Sequence, residues 1–239
     1  MAARMRWGRS DGLDTTHEVF VTMLRQARQA VSVALAARLG QADVAEALAT
    51  VAELEAEADD AEMHLRRLLL VHASVHGAGD IPACLTYMSI GKDAERISDL
   101  ALGLCRIAEH AEPPSSTLRD DLARLGAAVV AVLDGVPDVL ETEDVDAARV
   151  LIKQARAAQQ ACSARLDDVI RDESGDDVPQ AALASDVVDG SMWRVHWSEQ
   201  PVALALTYRH LGRIAANVLN IVSSVVVPLD RLDYPATED

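Results

Sequence analysis

Aromatic residues are scarce. Phe20 is the sole phenylalanine, and three tryptophans and three tyrosines bring the aromatic share to only 3% of 239 residues. Half of the chain is nevertheless hydrophobic, so its core must be built from Ala, Leu and Val. Combined with many Glu, Asp and Arg, that composition favours helices over sheets. Cysteine is also sparse: Cys84, Cys105 and Cys162 are odd in number and widely spaced. They read as buried free thiols in a reducing cytoplasm rather than a disulfide framework. Positive charge is in deficit, 22 Lys and Arg against 38 Asp and Glu, for a net charge of −16. Binding to nucleic acid requires clustered cations and is excluded as a role. An acidic surface instead fits solubility, cation binding or docking to a basic protein patch. No run reaches the roughly 20 uncharged apolar residues of a membrane span. The Arg-bearing start, Met1–Arg9, lacks the apolar stretch of a signal peptide, and a cytoplasmic protein is expected.

Catalytic signatures are missing as well. There is no Gly-rich phosphate loop, no G-x-S-x-G and no Cys paired with His in a motif. Paired carboxylates can do acid–base work, but nothing in the sequence supplies a concave pocket around them. An enzyme is not expected.

What is present is helical periodicity. Thr15-x-x-Glu18 reads as a capping box opening a helix to about Leu39, with Gly40 at its C′ position. A second helix is predicted from about Asp43 to Val75, ended by Gly77 and Gly79. Asp80 reads as an N-cap before Ile81 and Pro82, and a third helix runs on to about His110. Pro113-Pro114-Ser115-Ser116 is the clearest break. Three more helices are predicted after it: Thr117 to about Leu140, Asp144 to about Arg171, and Pro201 to Val227. The stretch 172–200 reads as a loop with a short helical piece, and Leu229–Asp239 as a tail. Three helices, a break and three helices suggest an all-α duplication: two tandem three-helix bundles, 1–112 and 117–228.

Each helical residue advances by about 100°, so faces follow by arithmetic. On the second helix, Glu53, Glu57, Asp60, His64 and Arg67 share an ordinary solvated side. Glu55, Asp59 and Glu62 instead interrupt an apolar stripe of Val44, Leu48, Val51 and Leu69. On the third helix, Glu95 and Asp99 fall in line with Leu85, Met88 and Leu102, while Ile90, Ala94, Ile97, Ala101 and Leu104 cover another side. Like charges at i, i+4 cost about 0.2–0.5 kcal/mol per pair. Two such pairs on adjacent helices either are neutralised by Arg66, Lys92 and Arg96 or form an oxygen-rich cation site. His72-x-x-x-His76 can share one face and could bind a transition metal; a solvated helix end is the plainer reading.

The motifs resemble those of the PhoU family, helical accessory proteins of phosphate transport. Asp80, Asp93, Glu95-Arg96-Ile97 and Asp99 are similar to the family's third-helix pattern. Val51-x-x-Leu54-Glu55-x-x-x-Asp59-x-x-Glu62 is similar to its second-helix pattern. In the second half Arg213-Ile214-Ala215 and Asn220-Ile221 keep the framework, but Gly212, Ala216, Ala155 and Gln159 stand where the family has acids. The resemblance implies metal ligation, by iron or zinc and alternatively magnesium or manganese, at Glu55, Asp59, Glu95 and Asp99, with Glu62 and Asp93 as further ligands. It confines that site to the first bundle. It also implies a regulator of phosphate uptake and of the phosphate-starvation response. Its partners would be a phosphate ABC transporter and a sensor histidine kinase, with membrane contact only through them and a possible homodimer. A diverged paralogue serving another transporter or signalling partner is the main alternative. A di-metal bundle enzyme or metal store lacks the usual Glu-x-x-His spacing.

Overall fold

A computed structural model of the chain describes residues 12–76, 78–173, 199–227 and 229. These residues form six helices: α1 Asp14–Arg38, α2 Val44–His76, α3 Ile81–His110, α4 Ser116–Thr142, α5 Val145–Glu173 and α6 Glu199–Val226. Helix order and type follow the sequence periodicity. Most of the expected loop at 172–200 lies outside the described residues, as does all of the expected tail except Leu229.

Local chemistry explains most of the boundaries. Asp43 Oδ1 accepts a hydrogen bond from the Glu46 N–H at 2.9 Å, capping α2. Asp144 caps α5 through the N–H groups of Asp146 and Ala147. Such caps satisfy backbone donors that a helix N-terminus leaves open. At the end of α1, Gly40 adopts φ +71°. Its N–H bonds to the Ala37 carbonyl and the Gln41 N–H to the Ala36 carbonyl, the paired bonds of a Schellman motif, which needs a left-handed residue. Two expectations shift. α1 begins at Asp14 with Leu13 as its N-cap, so Thr15 lies inside the first turn and does not cap. Asp80 makes no side-chain cap; its carboxylate is used elsewhere.

Helices α1, α2 and α3 pack on one another, as do α4, α5 and α6, and the two groups join where α3 meets α6 and α1 meets α4. One continuous apolar core runs through both groups. Its small side chains allow close helix approach. A Cβ on Gly126 of α4 would stand 2.9 Å from both Leu35 methyl carbons of α1. The few aromatics are spent inside: Phe20 and Tyr87 are fully buried and meet edge to face at 5.8 Å.

Polar contacts fix how the two groups sit. Arg38 is fully buried; its Nε donates to Thr207 Oγ1 on α6 and its Nη1 to the Glu112 carbonyl in the α3–α4 connection. On the surface Arg28 of α1 pairs with Asp134 of α4 at 2.6 Å. Within the second group, Asp121 of α4 takes Arg165 of α5 at 2.7 Å. Among the described residues no helix is long and apolar enough to cross a membrane.

Candidate functional site

The α2–α3 seam is tight where Gly91 faces Leu65: a Cβ there would lie 2.5 Å from a Leu65 methyl. Side chains one turn away on either helix are therefore pushed together. The apolar stripe Ile90, Ala94, Ile97, Ala101 and Leu104 is fully buried, as the arithmetic requires, and Glu53, Glu57, Asp60, His64 and Arg67 are exposed. The acids take neither side. Glu55 and Glu95 are half-buried, Glu62 is buried, and Asp59 and Asp99 reach solvent. The site is an acidic seam along the edge of the bundle.

The two helices run antiparallel, so the acids interleave. Burial, then the charges of Glu62, Asp59 and Asp99, raise the Glu95 carboxyl from 4.5 to about 7, with Arg96 opposing. Burial, Asp59 and Asp99 also raise Glu55, against a counter-pull from Arg106. Desolvation and like charges both disfavour the ionised form, so the shifts share one physical cause. The structure thus brings Glu55, Asp59, Glu62, Glu95 and Asp99 into one electrostatic group.

Asp93 sits differently on the helix. Two residues before Glu95, it projects about 200° around the helix and is buried. Lys92, an expected neutraliser, is exposed and is not among the groups acting on Glu95. Arg66 does neutralise, donating to Glu62 Oε1 at 2.6 Å. Five carboxylates against Arg66, Arg96 and Arg106 leave a surplus of negative charge in the seam. An all-oxygen donor set of this kind suits hard cations such as magnesium or manganese and accepts iron; it offers zinc neither imidazole nor thiolate. The donor chemistry would suit such a cation, but among the described residues no three of these acids bring their oxygens within 4.8 Å of one another, so the side chains would have to converge to hold one.

The corresponding seam of the second half is built for packing alone. Ala155 is fully buried. A Cβ on Gly212 would stand 3.3 Å from Cys162 Cβ and 3.9 Å from the Gln159 carbonyl. Small residues let α5 and α6 close where carboxylates would have to be solvated.

Sequence reasoning missed one arrangement. The carboxylate of Asp80 lies 2.9 Å from His72 Nε2, across the turn that joins α2 to α3. Among the described residues, His72, His76 and Asp80 are the group of metal-ligating side chains whose donor atoms all lie within 4.8 Å of one another. The signal was available as H-x-x-x-H-x-x-x-D, but only the fold shows that the glycine-bearing turn brings the Asp back to the histidines.

Comparison with known proteins agrees with the fold. The family model of the PhoU domain matches residues 20–111, which span the acidic seam. The crystal structure of PhoU from Pseudomonas aeruginosa matches with a TM-score of 0.72 at 17% identity, covering 90% of this chain and 95% of that one. No curated protein matches the chain.

Proposed function

We propose that this chain, which carries a PhoU domain in its first half and the PhoU fold over most of its length, is a non-enzymatic regulator of phosphate uptake acting by docking. The observation that carries the reading is the coincidence of the family match with an acidic seam, Glu55, Asp59, Glu62, Glu95 and Asp99, on the α2–α3 surface. In this reading the partners are a phosphate ABC transporter and a sensor histidine kinase, and the protein works in the cytoplasm. A hard cation or iron in the seam would stiffen α2 against α3. The net charge of −16 supports docking to a basic protein patch. Apolar contact area is available where α2 and α3 meet: Leu70, Val71, Val75, Ile81 and Leu85 are all at least 43% exposed, and such exposure marks interaction surfaces when it is clustered.

Deleting the gene tests this. Phosphate-starvation genes should be derepressed in phosphate-replete medium, and an unchanged response refutes the reading. The loss of acids at Ala155, Gln159, Gly212 and Ala216 favours one second reading, a PhoU-like scaffold serving a different transporter or signalling partner. Pull-down of that other partner by the full chain, with phosphate regulation intact in the deletion strain, would select it.

A further inference from the structure

We propose that His72, His76 and Asp80 form a binding site for a divalent cation of borderline softness, with Zn(II) the best match, separate from the acidic seam. The site lies at the turn between α2 and α3. His72 and His76 are one helical turn apart, so their side chains stand one above the other. Their rings stack at 4.3 Å between centroids, 16° from parallel. His72 is buried, Asp80 partly so and His76 exposed. The three donor atoms lie within 4.8 Å of one another. Tetrahedral zinc with bonds of about 2.0–2.2 Å places its ligands roughly 3.3–3.5 Å apart. The 2.9 Å between His72 Nε2 and Asp80 Oδ2 needs to open only slightly, and the exposed His76 is free to swing in.

Three features pre-arrange this geometry. Asp80 is held at the head of α3, its carbonyl accepting from the Cys84 N–H at 3.0 Å. His72 Nε2 already faces that carboxylate at 2.9 Å, so a cation between them would replace this one hydrogen bond. Gly12 supplies the third. Its backbone, at φ +134°, passes so close that a Cβ would stand 3.0 Å from His72 Nδ1 and 3.4 Å from His76 Nε2. The chain before α1 thus flanks both rings. Two imidazoles and a carboxylate are a borderline donor set, in contrast to the oxygen-only seam. The sites are also distinct in space, since ten residues of helix, about 15 Å, separate Glu62 from His72. A cation here would clasp the end of α2 to the start of α3, where Val75 and Ile81 are exposed.

The test uses the untagged full chain, titrated with Zn(II) against a chromophoric chelator and with Co(II) for its visible ligand-field bands. Changes outside the first shell already cost roughly 10- to 100-fold in affinity, so losing a ligand in His76→Ala should weaken Zn(II) by about 100-fold or more and abolish the Co(II) bands. His76 is exposed, so that variant keeps its fold, which circular dichroism checks; Asp80→Asn should act in the same direction. The double variant Glu95→Gln, Asp99→Asn should retain the bands. Equal Zn(II) affinity in wild type and His76→Ala overturns the proposal. So does loss of binding in the seam variant alone, which would assign the metal to the acids.

Discussion

Replacing Glu95 with Gln should stabilise the metal-free protein, although it removes a charged side chain from a helix of good helix formers. The reasoning rests on charge. Glu95 has three like-charged neighbours, Asp99 on its own helix and Asp59 and Glu62 across the seam, against one opposing cation, Arg96. Each such pair costs about 0.2–0.5 kcal/mol on a helix surface; three at that size sum to about 0.6–1.5 kcal/mol, and roughly 0.7 kcal/mol remains at mid-range once Arg96 offsets one of them. Solvent reaches the seam, so the raised pKa is not converted to energy in full. A change of about 1 kcal/mol moves the melting temperature of a chain this size by roughly 2–4 °C.

The sign with pH follows from linkage. A carboxyl at about 7 when folded and 4.5 when unfolded binds more protons in the folded state between those values. Its contribution therefore favours folding at low pH and is lost as pH rises towards 7. Melting followed by circular dichroism in excess chelator should show the variant above wild type at about pH 8, and the gap should shrink near pH 5.5, where wild-type Glu95 is largely protonated. Added Mn(II) should then raise wild type more than the variant, because a ligand specific to the folded state stabilises it. A variant that melts below wild type in chelator at pH 8 refutes the repulsion argument and leaves Glu95 as a structural ion-pair partner.

Two further outcomes are expected. Gly40→Ala should destabilise by about 1–3 kcal/mol in urea unfolding: a left-handed backbone costs a side-chain-bearing residue roughly 1–2 kcal/mol, and a Cβ there would lie 2.8 Å from the Pro113 ring. An unchanged midpoint would mean the α1–α2 turn relaxes freely. Cys84, Cys105 and Cys162 are all buried and unpaired, and burial pushes Cys105 and Cys162 up to about 11. A chromogenic thiol reagent at neutral pH should label none of the three promptly in the native chain and all three after unfolding; fast native labelling refutes the core placement.

The order and type of the elements were legible in the sequence because helical signals are local. Periodicity every 3.6 residues, Asp43 and Asp144 as caps, Gly40 past the end of α1 and the Pro113–Pro114 break each act within a turn or two of chain, so one strand of text contains them. Face arithmetic likewise separated the buried stripe of α3 from Glu95 and Asp99, and the resemblance to the PhoU motif placed Gly212 and Ala216 where that family has acids. Three things required the fold. Whether the acids meet protein or water depended on how closely α2 and α3 approach, which the Gly91–Leu65 contact sets, and the answer was a half-exposed seam. Asp93 read as a ligand because it belongs to the same motif, and only the packing shows that it is buried, about 200° around the helix from Glu95. Asp80 read as a cap because capping is the nearest use for such a residue; its partner His72 comes from the preceding helix, across a turn whose path no local rule specifies. The sequence determined the helices and the charges each one carries, and the tertiary packing alone decided which of those charges meet.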